Sequence, residues 1–470
     1  MGNVMSRLTE LFGTQDMTEG RPLKVLLRFS MPLLIGNFAQ QLYNTVDSMI
    51  VGTYIGDTAL AAVGTSGPII NLMIVLFMGI ATGASILSAQ FFGAKERGLL
   101  STLVGSALLM TVLSGVVMSV IGYFAAGWLV GLTAPPEDVF AGAAVYLRII
   151  FAGMLGSAAY NILSGVLRGM GDSVYPLIFL VIASLLNVAL DLIFVRSLGM
   201  GIAGVAWATI IAQAVSGTLC AVRLLRMKDT VDINRSTLRP NGGMIRKVAA
   251  LGLPAGVTSA IFSTSAILVQ NLVNSLGTVM IAANVAVMRV DGFAMMPNFT
   301  FGTAATTYVG QNVGAGRLDR LSPGTKDMLK LALVAATALV AAILLFGRGL
   351  IGMFTQTEAV ITLGARGLRW LALGYIAFAV SQVLQGVMRG AGDTMTPMWI
   401  SIIATVVLRM PLAYILARVT ASADWPNGHP DAIFASLLIS WLIAMFLTVF
   451  TYRRGKWKKT VDALRKKRPA

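Results

Sequence analysis

Five ionisable side chains stand inside stretches that are otherwise apolar: Asp47, Asp191, Asp291, Arg289 and Arg409. A charged group held away from water is costly, so such residues mark ligand sites, ion pathways or paired networks. Asp47 closes the series Asn37, Gln40, Asn44, Asp47, whose spacings of three, four and three put all four on one helical face. Asp191 follows Asn187 by four and shares its face in the same way. Two carboxylates flanked by amides in a poorly solvated pocket can hold a proton or a small cation between them. The plainer reading is that each acid is neutral and hydrogen-bonds between helices.

The second half of the chain has no matching pair. Val269 stands near the position equivalent to Asp47, and Leu412 at the position equivalent to Asp191. It offers a polar stripe of Ser259, Ser263, Gln270 and Asn274, and then Asn284, Asp291 and Asn298 at intervals of seven. Arg289 points away from that second face. Arg409, near mid-depth, is the expected partner of Asp291. These three charges also admit a structural reading, as an ion pair plus one satisfied arginine.

Long apolar helices must position these groups. The chain is 56% hydrophobic and 12% charged, against about 25% charged for a soluble domain. Residues 58–94, 99–136, 197–222 and 248–288 contain no Asp, Glu, Lys or Arg. A membrane-crossing helix needs roughly 20 apolar residues, so stretches of this length hold one helix, a turn and much of the next. The pattern predicts helices over 29–51, 60–91, 101–130, 141–166, 174–196 and 201–226. A second set follows over 247–272, 279–310, 328–350, 364–388, 395–418 and 431–452.

The two sets of six are copies of one plan. Arg168-Gly-Met-Gly-Asp-Ser-Val-Tyr-Pro176 recurs as Arg389-Gly-Ala-Gly-Asp-Thr-Met-Thr-Pro397, an offset of 221 residues. Gln90 and Gly93-Ala94 recur as Gln311 and Gly314-Ala315 at the same offset, and Pro32 matches Pro254 to within one residue. A fixed offset marks internal duplication. The expected fold is all-α: twelve transmembrane helices in two six-helix bundles related by a pseudo-two-fold axis along the membrane normal. The expected domains are 1–226, a linker at 227–246, a second bundle at 247–452 and a basic tail at 453–470. The aspartates of the twin turns fall at the membrane surface on this reading, outside the set of intramembrane acids.

Charge sets the orientation. Of 36 basic residues, 28 fall on the side of the N-terminus, from Arg7 through Lys95, Arg97, Arg168 and Arg235 to the tail after Arg453. Six fall opposite: Arg148, Arg196, Arg348, Arg366, Arg369 and Arg418. The positive-inside rule then places both termini in the cytoplasm of a cell (inner) membrane. The tail reads as an anchor on anionic headgroups rather than a nucleic-acid arm.

Depth brings the first set of polar residues together. Asp47 lies about 28 Å above Arg28 at 1.5 Å per residue, and Asp191 about 26 Å above Val174. Thr209 lies roughly 12 Å down the sixth helix from the opposite side. Asp47, Asn187, Asp191 and Thr209 therefore share a level.

The chain resembles the MATE (multidrug and toxic compound extrusion) family over about 25–452. The resemblance rests on Ser30-Met31-Pro32, Asn44-x-x-Asp47, Gln90 to Gly93 with Gln311 to Gly316, and the twin turns. It implies membership of the MOP exporter superfamily, two bundles around a V-shaped cavity, and drug export by ion antiport. In the DinF-like branch the coupling residues are an Asp on the first helix, an Asn and an Asp four apart on the fifth and a Thr on the sixth. Asp47, Asn187, Asp191 and Thr209 fit that pattern. The acid that another branch carries on its seventh helix is absent here.

The reading is an antiporter, coupled to protons or sodium, that exports amphipathic cationic small molecules by alternating access. Candidate cavity residues are Asn37, Gln40, Asn44, Gln270, Asn284 and Asp291, with Pro32 as a candidate hinge. The alternative is a flippase for a lipid-linked oligosaccharide or other amphiphile, which would need cavity cations beyond Arg289 and Arg409. With one cysteine, Cys220, and one histidine, His429, the chain has little for a metal centre, a disulfide or an enzymatic site. No cofactor is expected besides H+ or Na+, the latter at the coupling residues. The expected partners are small organic substrates and lipid, with no nucleic acid, and the expected state is a monomer.

Overall fold

The computed structural model describes residues 14–466, apart from 134, 235 and 424. Arg7, Arg235 and the end of the basic tail, 467–470, lie outside the described residues. In chain order the helices are α1 (Pro22–Tyr54), α2 (Asp57–Gly93), α3 (Arg97–Gly131), α4 (Glu137–Ala152), α5 (Met154–Gly169), α6 (Val174–Asp191) and α7 (Gly201–Arg226). They continue as α8 (Gly242–Ser275), α9 (Thr278–Gly314), α10 (Leu321–Gly352), α11 (Glu358–Gly390), α12 (Met395–Ser401), α13 (Met410–Val419), α14 (Asp431–Arg454) and α15 (Lys456–Lys466). No strand occurs among the described residues. In hydrocarbon only helices and closed barrels satisfy every backbone donor and acceptor, so an apolar chain of this pattern folds this way.

Ten of these segments are long and apolar enough to cross a membrane, and α4 with α5, bent by 52°, form an eleventh. α1, 33 residues long, is not among them, because its polar stripe dilutes its hydropathy; it stands where the first of the twelve expected spans lies. Several boundaries differ from the apolar runs. α1 starts at Pro22 rather than 29, α10 at Leu321 rather than 328, and α11 at Glu358 rather than 364. Hydropathy marks the lipid-facing length, whereas a helix persists through polar first turns whose free N–H groups water can satisfy. The fourth predicted helix breaks at Gly153. Two others are interrupted by π-helix, at Leu192–Ser197 directly after Asp191 and at Ile402–Arg409.

The chain forms two compact units. The first comprises Leu27–Gly256, Gly310–Gly316 and the segment up to Gly20; the second comprises Arg21–Leu26, Val257–Val309 and the chain from Arg317. In the first unit α5 packs against α2, α3 and α7 around fully buried Leu147, Phe151, Ile162 and Leu167. In the second, α11 packs against α10 and α14 around Leu368, Tyr375 and Phe434. The polar linker lies on α3. Ser101 Oγ accepts from the Asp232 N–H at 2.9 Å, and Arg97 pairs with Asp232 at 2.6 Å.

The twin turns are the same object twice. In the first, Gly171 N–H donates to Arg168 O and Asp172 N–H to Leu167 O; in the second, Gly392 donates to Arg389 O and Asp393 to Met388 O. This pair of bonds is a Schellman helix end, which requires a left-handed residue, and Gly171 and Gly392 have φ of 88° and 91°. The aspartates lie in the turns between helices, as expected, yet the protein itself covers them. Asp172 is fully buried and Asp393 nearly so. Each accepts from the backbone N–H three residues on, Tyr175 at 3.1 Å and Thr396 at 3.0 Å, and so starts the next helix. Arg223 pairs with Asp172 at 3.3 Å and stacks 3.8 Å over the Tyr175 ring. Burial pushes the Asp172 carboxyl upward, while the Tyr175 N–H and Arg223 pull it down.

Packing around the first turn leaves no room for a β-carbon. One added at Gly169 would lie 2.4 Å from Ser85 O, and one at Gly314 2.1 Å from Gln90 O. Gly98 faces open space. Overpacking costs roughly 1–3 kcal/mol and more against rigid backbone. Gly169→Val and Gly314→Val are therefore expected to lose most of the monodisperse protein on size-exclusion in detergent, whereas Gly98→Val keeps it. Equal recovery of all three would refute this packing account.

Candidate functional site

Asp47 sits on α1, Asn187 and Asp191 on the last turns of α6, and Thr209 on α7. The structure brings all four into one pocket inside the first unit. The Asp47 and Asp191 carboxyl groups face each other. Asn187 and Asp191 are wholly shielded from solvent, and Asp47 is half-buried. The Asn187 amide, with its nitrogen turned towards the acid, donates to Asp191 Oδ2 at 2.8 Å, and its oxygen accepts from the Thr209 N–H at 3.1 Å. Thr209 Oγ1 donates to Val205 O at 2.9 Å. Asp47 Oδ1 and Asp191 Oδ1 are each buried with no hydrogen-bond donor.

Two further residues complete the pocket. The Tyr43 and Tyr146 hydroxyls reach Thr209 and lie within electrostatic range of both acids. Tyr43 was legible in principle, because it precedes Asp47 by four and shares its face. Tyr146 gives no local signal; it is one of three aromatics on α4, and only the fold carries it there. The π-helix that begins at Leu192 is a local distortion next to Asp191, and such distortions recur at functional sites.

The remaining candidates are spread over both units. On α1, Asn37 is half-buried while Gln40 and Asn44 are exposed, and the helix runs unbroken through Pro32. In the second unit Gln270 Nε2 donates to Asn274 Oδ1 at 2.8 Å, a bond within its own helix. Asn284 Nδ2 lies 3.6 Å from Met288 Sδ on the same helix. Arg289 is exposed. Asp291 is faced by Tyr375 and Arg409. No ion pair closes between Asp291 and Arg409 among the described residues; Arg409 Nη1 instead reaches Ser265 Oγ at 3.5 Å. Trp441 walls this cluster, with its ring 5.7 Å from Tyr375 and 5.5 Å from Phe378. The two units thus carry different chemistry: paired acids in one, an acid near an arginine in the other.

Comparison with known proteins bears on the duplication and on the family. The MatE family model matches the chain twice, over residues 32–193 and 254–415. A probable multidrug resistance protein of Bacillus subtilis, YpnP, is 30% identical over 445 residues, covering 94% of this chain and 97% of its own. A solved structure of a multidrug resistance MATE transporter of the MOP superfamily, in the outward-facing conformation, superposes with a TM-score of 0.87 at 25% identity, covering 97% of this chain and 99% of that one. A MATE protein in a bent conformation gives a TM-score of 0.87 at 25% identity, covering 95% and 98%. The twofold match, the long apolar spans and the full-length likeness lead to one conclusion: the chain belongs to the MATE family of membrane transporters and is not an enzyme.

Proposed function

We propose that this transporter exports amphipathic organic cations in exchange for an inward-moving H+ or Na+, and that the Asp47–Asp191 pocket is where the two cargoes compete. The observation that carries the reading is the convergence of two carboxylates from different helices in one enclosed pocket, each with a buried oxygen that lacks a donor. A cation between them would supply the missing partner. A proton would be shared between the acids with the Tyr43 and Tyr146 hydroxyls nearby. A sodium ion would draw on carboxylate oxygens and the oxygens of Asn187 or Thr209, the hard ligands such an ion prefers. The name of the Bacillus subtilis relative supports the drug class.

Neutralising the pair removes its attraction for a cationic substrate, so each ligand favours a different state and the coupling is reciprocal. Moving a transporter from mostly one state to mostly the other takes about 5 kcal/mol of differential binding. Coulomb energies at short range in a partly dry pocket are of that order. Pro32 lies fifteen residues before Asp47 on α1 and lacks the N–H of a regular helix turn, which makes it the candidate hinge through which ion occupancy would act on the helix. The basic end of the molecule faces the cytoplasm in this reading. A flippase for a pyrophosphate-linked lipid finds less support, since Arg409 lies within electrostatic range of Asp291, whose carboxylate would oppose a bound anion.

Two experiments test the proposal. Asp47→Asn and Asp191→Asn are each expected to abolish drug efflux from cells while the protein remains at normal abundance in the membrane. Full resistance in either variant removes that residue from the coupling site. For the purified protein, affinity for a fluorescent cationic dye is expected to fall on acidification or on addition of sodium, and Asp191→Asn should flatten that dependence. Protons and sodium favour the neutralised pocket, so the sign is a weaker dye complex as either rises. A dye affinity that ignores both ions rules the mechanism out.

A further inference from the structure

The segment before α1 is bound into the basic end of the first unit. Met17, unlike a terminal residue left in water, is fully buried. Its N–H donates to Gln311 Oε1 at 2.8 Å, and its carbonyl accepts from Asn312 Nδ2 at 3.2 Å. Gln311 Nε2 donates in turn to Gly169 O at 3.1 Å. On the other side, Gln15 N–H donates to Gly171 O at 3.1 Å, and a β-carbon at Gly171 would lie 2.1 Å from Gln15 O. Asp16 Oδ1 accepts from the Thr18 N–H at 2.8 Å and fixes the bend between these contacts. The segment is therefore laced between the first Schellman turn and the last turns of α9.

Those last turns, Gly310–Gly316, belong to the first unit, while α9 up to Val309 belongs to the second. The segment itself runs directly into Arg21–Leu26, which also belongs to the second unit. Besides the buried Met17 side chain, three bonds join the segment to the rest of the first unit, through Met17 N–H, Met17 O and Gln15 N–H. They are reversible. Each of these three joins neutral groups and is worth about 1 kcal/mol net.

We propose that residues 14–20 form a strap that closes the basic end of the first unit and must lift in each transport cycle. Seated, it ties the Gly169–Gly171 turn to Gln311 and Asn312, and so holds the last turns of α9 against Gly93 and Gln90. Lifted, it frees those turns. The strap thereby sets how often this end opens. The inference rests on alternating access and not on which ion drives it.

Met17→Cys tests the strap in the full-length protein, with the native Cys220, buried within the membrane part, as an internal gauge of global opening. A membrane-impermeant maleimide is applied to the basic end in inverted vesicles, and labelling of each thiol is followed by mass spectrometry. Without substrate, the introduced strap thiol is expected to react slowly. A cationic dye together with a pH or sodium gradient should accelerate it severalfold while Cys220 stays unlabelled. Asn312→Ala, which removes one tie, should raise the resting rate roughly two- to tenfold, the factor that one lost hydrogen bond commands. Thr18→Cys, nearly as buried, repeats the measurement should Met17→Cys fold poorly. A labelling rate that turnover does not change, or one that rises only in step with Cys220, overturns the strap. Failure of ion coupling appears instead in the Asp47 and Asp191 variants, where labelling of the strap thiol is not the readout.

Discussion

The structure depends on one constraint: inside hydrocarbon every polar group must find its partner within the protein. Backbone groups meet it by forming helices. Side chains meet it by converging, which is why polar residues from α1, α4, α6 and α7 share one pocket in the first unit. The same constraint governs the ends of helices. At the twin turns a glycine in the left-handed region returns two N–H groups to the preceding helix, and an aspartate takes up the first free N–H of the next. Hydrocarbon thus dictates both where the chain turns and where its acids go.

Duplication supplied the frame, and divergence supplied the chemistry. The two Schellman turns agree bond for bond and within a few degrees at glycine. The pockets do not agree. Where the first copy holds Asp191, the second has Leu412, and its own acid and arginine come from other positions. Geometry needed to end and start helices cannot vary without loss of the fold, whereas a polar side chain can be replaced by leucine once its duty has passed to the other copy.

Much of this was legible in the sequence, for reasons of range. Spans and their count follow from composition, which is a local property. Asp47, Asn187, Asp191 and Thr209 were gathered by depth along straight helices, a calculation that needs only the rise per residue. What escaped was of two kinds. Tyr146 has no polar residue three or four positions away on α4, so no stripe announces it. The burial of Asp172 depends on Arg223, 51 residues away, and on the coil of the turn itself. The π-helical stretches at Leu192–Ser197 and Ile402–Arg409 left no trace in hydropathy, because one extra residue per turn does not alter composition.

The assignment of Gly310–Gly316 to the first unit bears on how the molecule is made. A membrane protein is threaded into the bilayer in order of synthesis, yet the wall of the first unit at Gly93 and Gln90 is supplied by residues more than two hundred positions later. Until those residues are made, Met17 lacks Gln311 and Asn312, the partners of its N–H and carbonyl. The first half cannot finish until the ninth helix arrives. The first compact unit is therefore discontinuous in sequence, and a chain that stops before Gly310 lacks the residues that hold Met17.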